Sequence, residues 1–384
     1  MIRVHSRKSS GFTIVELLVV IVVIGILAAI TIVSYTGISK KAVASSLQSD
    51  LANASQQLKL YQVDNDAFPT ALDCSATPAI NTICLKSSSG NSYTYFPVNN
   101  TNPQTFSLTA SSGSTTYRIA SNSTPTSCPD NFIAVPSSAT YGTSDFCVMK
   151  YEAKNVGGVA TSQAAGTPWA SITQTSAITT AAAACSGCHL ITEVEWLTIA
   201  QNVLKYPANW SGGTVGSGYI YSGHNDNAPA SSLAADTNDA NGYFGETNTG
   251  GSQRRTLTLN NGEAIWDLAG NVMEFTNGTV AGGQQPGLSG ESAYAWKQWN
   301  DGSLLQNGLL ANAMPGYTGI SGASGWSSTQ GIGQLYSNYG QAATVAFSRG
   351  GYWNDSAINA GVFALRFNYL PSTANGAVGF RVSR

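Results

Sequence analysis

The stretch Ser9–Ile30, SSGFTIVELLVVIVVIGILAAI, decides how the chain is built. From Phe12 to Val33 the sequence is almost wholly apolar, and Glu16 is the only charge in that run. In helical form these 22 residues extend about 33 Å, enough for a hydrocarbon core of about 30 Å. Ahead of them, residues 1–11 carry Arg3, Arg7 and Lys8, so the N-terminus is expected in the cytoplasm and the rest exported. An ordinary secretory signal has a shorter apolar core with a small-residue cleavage site after it. Here Gly11 precedes the apolar run, and a carboxylate sits four residues beyond Phe12. An ionisable group in such a helix is expensive, which points to a function for Glu16.

On Gly11, Phe12, Glu16 and the apolar stretch, the segment resembles the class III signal of type IV pilins and pseudopilins. The resemblance implies a leader, 1–11, cut after Gly11 by a prepilin peptidase that also methylates the new Phe12 amine. It implies that Glu16 pairs with that amine on a neighbouring subunit during assembly. Loss of the leader removes three positive charges, so the formal net charge of −2 becomes −5.

Beyond the apolar run, Val43, Leu47, Leu51, Ala54, Leu58 and Tyr61 recur at spacings of three and four, an amphipathic face for packing on a small sheet. The segment Tyr61–Thr70, YQVDNDAFPT, ends that helix. Strands are expected at Ser92–Pro97, Thr105–Thr109 and Thr116–Ala120. A pilin-like module is thus assigned to 12–123, with 12–33 crossing the membrane, and the Ser/Thr/Pro-rich residues 124–129 form a linker.

Only 10% of the chain is charged, against about 25% in an average soluble protein. The near balance of 18 basic and 20 acidic residues argues against nucleic acid as a partner. Six cysteines, an even count in an exported chain, favour disulfides. Pairing of sequence neighbours is the simplest scheme: Cys74 with Cys84, Cys128 with Cys147, Cys185 with Cys188. Cys147 with Cys185 is an alternative. Cys185-Ser-Gly-Cys188-His189 also fits the C-x-x-C-H pattern of covalent haem attachment, although no haem is expected.

From Asp130 onward the texture is aromatic residues among Gly- and Asn-rich loops, with one clear helix at Leu190–Val203, where Thr192 and Glu195 have capping-box spacing. Four segments stand out: Phe146–Asn155 (FCVMKYEAKN), Leu190–Ala200 (LITEVEWLTIA), Ile265–Gly278 (IWDLAGNVMEFTNG) and Arg349–Ser383 (RGGYWN…VGFRVS). In this order they resemble the formylglycine-generating-enzyme/sulfatase-modifying-factor superfamily, whose domain is a C-type-lectin-like fold. The fold class expected is therefore α+β: a long pilin helix with a small antiparallel sheet, then a C-type-lectin-like domain over 130–384. The enzymes of that superfamily use a cysteine pair near the end of the domain to bind copper. No Cys follows Cys188 here, so an enzyme is not expected. The superfamily's calcium loop, carried over by position, falls on Asp267, Gly270, Val272 and Glu274, implying a structural Ca²⁺; the same residues also suit a turn whose carboxylates only accept backbone hydrogen bonds.

The last 36 residues alternate a constant framework with positions of mixed chemistry: Tyr352, Asn354, Asp355, Ile358, Asn359, Arg366, Asn368, Tyr369, Thr373 and Ala377. This resembles the variable region, here about 349–384, of proteins diversified by retroelements, in which adenine mutagenesis scatters Asn codons. The resemblance implies a ligand face for a protein or glycan at these side chains. The whole chain then reads as a surface-displayed, pilin-anchored adhesin or receptor. It would sit in the cytoplasmic membrane with an exported head, at the cell surface or in a pilus, with other pilin subunits as partners. A minor pilin or pseudopilin of fixed specificity is the alternative.

Overall fold

The computed structural model describes residues 14–99, 104–113, 115–121, 126–235, 253–288, 290–299, 301 and 327–384. Helix α1, Ile14–Asn65, is 52 residues long. Its distal half buries Leu47, Leu51, Ala54 and Leu58 against Phe68, Phe106, Leu108, Ala110 and Ile119. These helical residues are three and four apart, so they share one face over the sheet. That sheet has four strands in chain order, Ser92–Val98, Thr105–Ser112, Thr115–Ala120 and Thr126–Ser127, each antiparallel to the next. Asp50 ties the helix to the 87–91 loop by accepting hydrogen bonds from the Ser88 backbone (3.0 Å), the Ser88 hydroxyl (2.7 Å) and the Asn91 amide (2.7 Å).

The fourth strand corrects the expected linker. Residues 124–129 are not all connector, because Thr126 and Ser127 register with Arg118 and Tyr117 and extend the sheet. Thr and Ser are ordinary edge-strand residues, and the backbone edge of Thr115–Ala120 was open to them.

Among the described residues, the C-terminal part holds two further α-helices and two main sheets. Helix α3, Glu193–Leu204, starts at the Thr192 cap, with the full capping box to Glu195. Helix α2, Gln174–Ala184, was not expected from sequence: it buries only Gln174, Ala177 and Ala181, so its hydrophobic periodicity is faint. One sheet has the order His189–Leu190, Val382–Ser383, Phe146–Met149, Phe132–Val135. It places the last strand, Val382–Ser383, beside Phe146–Met149 of the opening hairpin, and Cys147 and Arg384 exchange backbone hydrogen bonds of 2.9 and 2.8 Å. The other sheet has six strands: Ala295–Lys297, Leu335–Ser337, Gly361–Tyr369, Val345–Gly350, Met273–Val280 and Val378–Phe380. Trp196, Phe363, Leu365 and Phe347 lie in the main core beneath it. Disulfides join Cys74 to Cys84, Cys128 to Cys147 and Cys185 to Cys188. The architecture is therefore α+β.

A buried charge network and a half-exposed aromatic row

The four sequence segments meet through their charges. Arg349 donates to Glu193 on α3 at 2.6 and 3.1 Å. Arg381 forks onto Glu274 at 2.6 and 3.0 Å and donates to the Met149 and Trp266 carbonyls, both at 2.8 Å. Glu152, from the first segment, accepts the Asn271 amide at 2.6 Å and the Val272 backbone N–H at 3.2 Å. Glu152, Glu274, Arg349 and Arg381 are all fully buried. Removing charges from water is costly unless each is paired, and here every partner comes from a different segment. Burial, and then the neighbouring Asp267, push the Glu152 carboxyl well above the usual carboxylate range, while burial pushes the Lys154 ammonium down.

The loop between the strands Ala264–Trp266 and Met273–Val280 turns through left-handed backbone at Asp267 (φ 55°), Gly270 (φ 95°) and Asn271 (φ 63°). At Gly270 a Cβ would lie 2.7 Å from the His224 carbonyl oxygen, so the close approach requires glycine. This is the expected calcium loop, and its residues do not fit the ion. Both Asp267 oxygens are held by the Arg255 guanidinium at 2.7 Å, and both Glu274 oxygens by Arg381. A dication placed between Asp267, Gly270, Val272 and Glu274 would lie beside two buried guanidiniums. Among the described residues, no group of three or more His, Cys, Asp or Glu gathers where it could hold a metal. The C-x-x-C-H segment is likewise committed: Cys185 and Cys188 are bonded to each other, and the His189 Nε2 lies 3.0 Å from Glu195.

That His189–Glu195 pair carries a pH dependence. The hydrogen bond to Glu195 raises the His189 pKa above 6.5, against the effect of burial. For Glu195 burial pushes up, but the bonds from His189 and Thr192 together bring it below 4.5. The histidine contribution is present below pH 6.5 and fades as pH rises through the raised folded pKa. The glutamate contribution is present above pH 4.5 and fades as pH falls through the lowered one. Thermal melts of wild type and His189→Gln should therefore differ most between these limits and converge as pH rises through the raised His189 pKa. A gap that is constant with pH contradicts the pairing.

At the other end of the six-stranded sheet the registers Trp296↔Tyr336, Tyr336↔Arg366 and Ser348↔Arg366 line up side chains across four strands. The Arg366 guanidinium sits 4.4 Å from the Trp296 ring centre, 5.1 Å from Tyr352 and 5.6 Å from Tyr336. Asp355 pairs with Arg366 and accepts the Tyr352 backbone N–H at 3.1 Å. Tyr352 packs edge-on against Trp353, whose backbone N–H donates to the Asn271 carbonyl at 3.1 Å. The aromatic row is thereby fastened to the charge network.

The ten expected ligand-face positions divide by burial. Asn354 and Ile358 are exposed, and Tyr352, Asn359, Asn368, Tyr369 and Thr373 are half-buried. Asp355, Arg366 and Ala377 are buried, which removes them from the exposed face. The reason is the Asp355–Arg366 ion pair and the packing of Ala377 with Val378 and Phe380. Trp296 and Tyr336 lie outside 349–384 and join the row only through strand pairing. The alternation of Tyr294 and Trp296 in AYAWK was the one local sign of them. At the other terminus, Gly11 and Phe12 lie outside the described residues, and so does the Glu16 side chain. Among the described residues no helix is long and apolar enough to cross a membrane. On α1, Leu18, Ile21, Val22, Val23 and Ile24 are each about half exposed.

Residues 6–32 match the prokaryotic N-terminal methylation motif. The chain is 32% identical over 130 residues to the type IV wide pilus major component PilA4 of Thermus thermophilus, covering 32% of this chain and 99% of that protein. It is 38% identical over 66 residues to the type II secretion system core protein G of Aeromonas hydrophila, covering 17% of this chain and 46% of that protein. The Escherichia coli protein of the same name is 38% identical over 63 residues, with 16% and 43% covered. The chain thus spans less than half the length of these two secretion proteins. Because the Thermus pilus component is spanned over almost all its length, the chain belongs to the type IV pilin family, which accounts for about a third of it and leaves the remainder as an addition.

Proposed function

We propose that this pilin subunit is cut after Gly11 by a prepilin peptidase, methylated on Phe12, and assembled with other pilin subunits through Glu16 and the exposed Leu18, Ile21, Val22, Val23 and Ile24. Its added domain, read as C-type-lectin-like, is carried outside the cytoplasmic membrane, at the cell surface or in a pilus. There it serves as an adhesin or receptor for a protein or glycan. The observation that carries this reading is the half-exposed row of Trp296, Tyr336 and Tyr352 around Arg366. Rigid aromatic rings beside Arg and Asn make strong contacts at low entropic cost. Retroelement diversification fits the seven positions outside the core. A subunit of fixed specificity is favoured at Asp355 and Arg366, where variation of either residue strands a buried charge. A cysteine-based oxidase is not proposed, since all three cysteine pairs are disulfides.

The test uses cells producing the full chain. Gly11→Phe is expected to leave an uncut precursor and no displayed domain. Trp296→Ala with Tyr352→Ala is expected to be processed and displayed normally yet to lose at least tenfold in binding to any target captured by wild type on protein and glycan arrays. Processing of the Gly11→Phe chain, or unchanged target binding by the double variant, overturns the corresponding half of the proposal.

A further inference from the structure

The geometry points to an intramolecular amide cross-link between the side chains of Lys154 and Asn271, formed by the protein itself with Glu152 as the proton-transferring group. The Lys154 Nζ lies 3.8 Å from Glu152 Oε2, and the Asn271 Nδ2 donates to that same oxygen at 2.6 Å. Amine and carboxamide therefore converge on one carboxylate oxygen. All three side chains are sealed from solvent: Glu152 and Asn271 are 0% exposed and Lys154 is 2% exposed.

Each part of the arrangement has a chemical use. In a site without water, a lysine and a glutamate in contact lower their energy by sharing the proton as neutral amine and neutral acid, which leaves the Nζ lone pair free to attack. The Asn271 Oδ1 accepts the Leu233 backbone N–H at 2.7 Å, a donor already aimed at the oxygen on which charge develops when the carboxamide becomes tetrahedral. The left-handed backbone at Asn271, next to Gly270, fixes the carboxamide, and the Val272 N–H fixes the other Glu152 oxygen. Two groups gathered on one carboxylate oxygen in this way react as if at very high concentration.

The step balances without a co-reactant. The Nζ–Cγ bond forms and the Cγ–Nδ2 bond breaks. Glu152, starting as the neutral acid, gives its proton to the departing nitrogen, which leaves as ammonia, and takes one from the attacking nitrogen. The carboxyl ends in its starting protonation state. The product joins the Lys154–Val156 strand to the loop after the Ala264–Trp266 strand, a covalent tie between the opening segment of the domain and the turn at its charge network.

Mass spectrometry of the purified full chain tests this directly. The expected intact mass is one ammonia below that of the processed, disulfide-bonded sequence. After reduction and digestion, a branched peptide is expected to carry both Lys154 and Asn271. Lys154→Arg and Glu152→Gln are each expected to restore the full mass. A full-mass wild-type chain with two linear peptides overturns the proposal, and this measurement does not depend on whether either variant folds. An ammonia deficit that maps to one of the Asn-Gly steps at Asn241, Asn261, Asn277, Asn307 or Asn375 is a cyclised asparagine and also overturns it. A branched peptide that persists in Glu152→Gln overturns the role given to the glutamate.

Discussion

Replacement of Arg381 by methionine is expected to abolish cooperative folding of the C-terminal domain. The guanidinium is fully buried and satisfies both oxygens of Glu274 together with the Met149 and Trp266 carbonyls. Breaking a buried pair on one side costs about 3–5 kcal/mol, because the other charge stays behind in low dielectric. Two carbonyls are orphaned as well, each adding about 1 kcal/mol or more. A domain with about 5–15 kcal/mol in total loses much or all of its margin. The double variant Arg381→Met, Glu274→Met should recover a large part of the loss, since it removes the stranded carboxylate. Thermal melts followed by circular dichroism measure both. A single variant that melts within a few degrees of wild type contradicts the assignment.

Trp196→Ala is the second large effect. The indole is fully buried in the main core, and its Nε1–H donates to the Val362 carbonyl at 2.8 Å. Truncating a buried tryptophan costs about 3–5 kcal/mol. Val362 lies in the Gly361–Tyr369 strand, four residues before Arg366. The expected result is therefore a lower melting temperature and, at temperatures where the domain still folds, weaker binding at the aromatic row. Trp196→Phe, which keeps most of the volume but not the donor, should fall between the two. Equal stability of Trp196→Ala and wild type rules this account out.

The N-terminal third was legible because its signals are local. Gly11, Phe12, Glu16 and the apolar run are contiguous, and Leu47, Leu51, Ala54 and Leu58 announce their face by spacing alone. Helix α3 was legible for the same reason, through Thr192 and Glu195. Helix α2 was missed because alanines and threonines give little contrast between its faces. The charge network was only half legible. Asp267 and Glu274 were visible as carboxylates in a tight turn, but Arg381 is 107 residues from Glu274, and nothing local shows that the cation is a guanidinium and not calcium. Trp296 and Tyr336 were missed because strand pairing, not proximity in sequence, brings them to Arg366: Tyr336 by a parallel pairing and Trp296 by an antiparallel one with the Tyr336 strand.

Low charge content also reads differently in the folded chain. Glu152, Lys154, Arg255, Asp267, Glu274, Arg349 and Arg381 are all buried, so a good part of the scarce charge serves to fasten segments and is absent from the surface.

The pairing of the domain's last strand with the second strand of its opening hairpin has a mechanical consequence. Tension arriving through residue 128 does not have to pass along the outer strand Phe132–Val135. The Cys128–Cys147 bond hands it directly to the Phe146–Met149 strand, which is paired on its far side with Val382–Ser383. The outer strand is thereby bypassed, and a pull on residue 128 is delivered to the inside of a sheet, where Phe146–Met149 has a paired neighbour on each side.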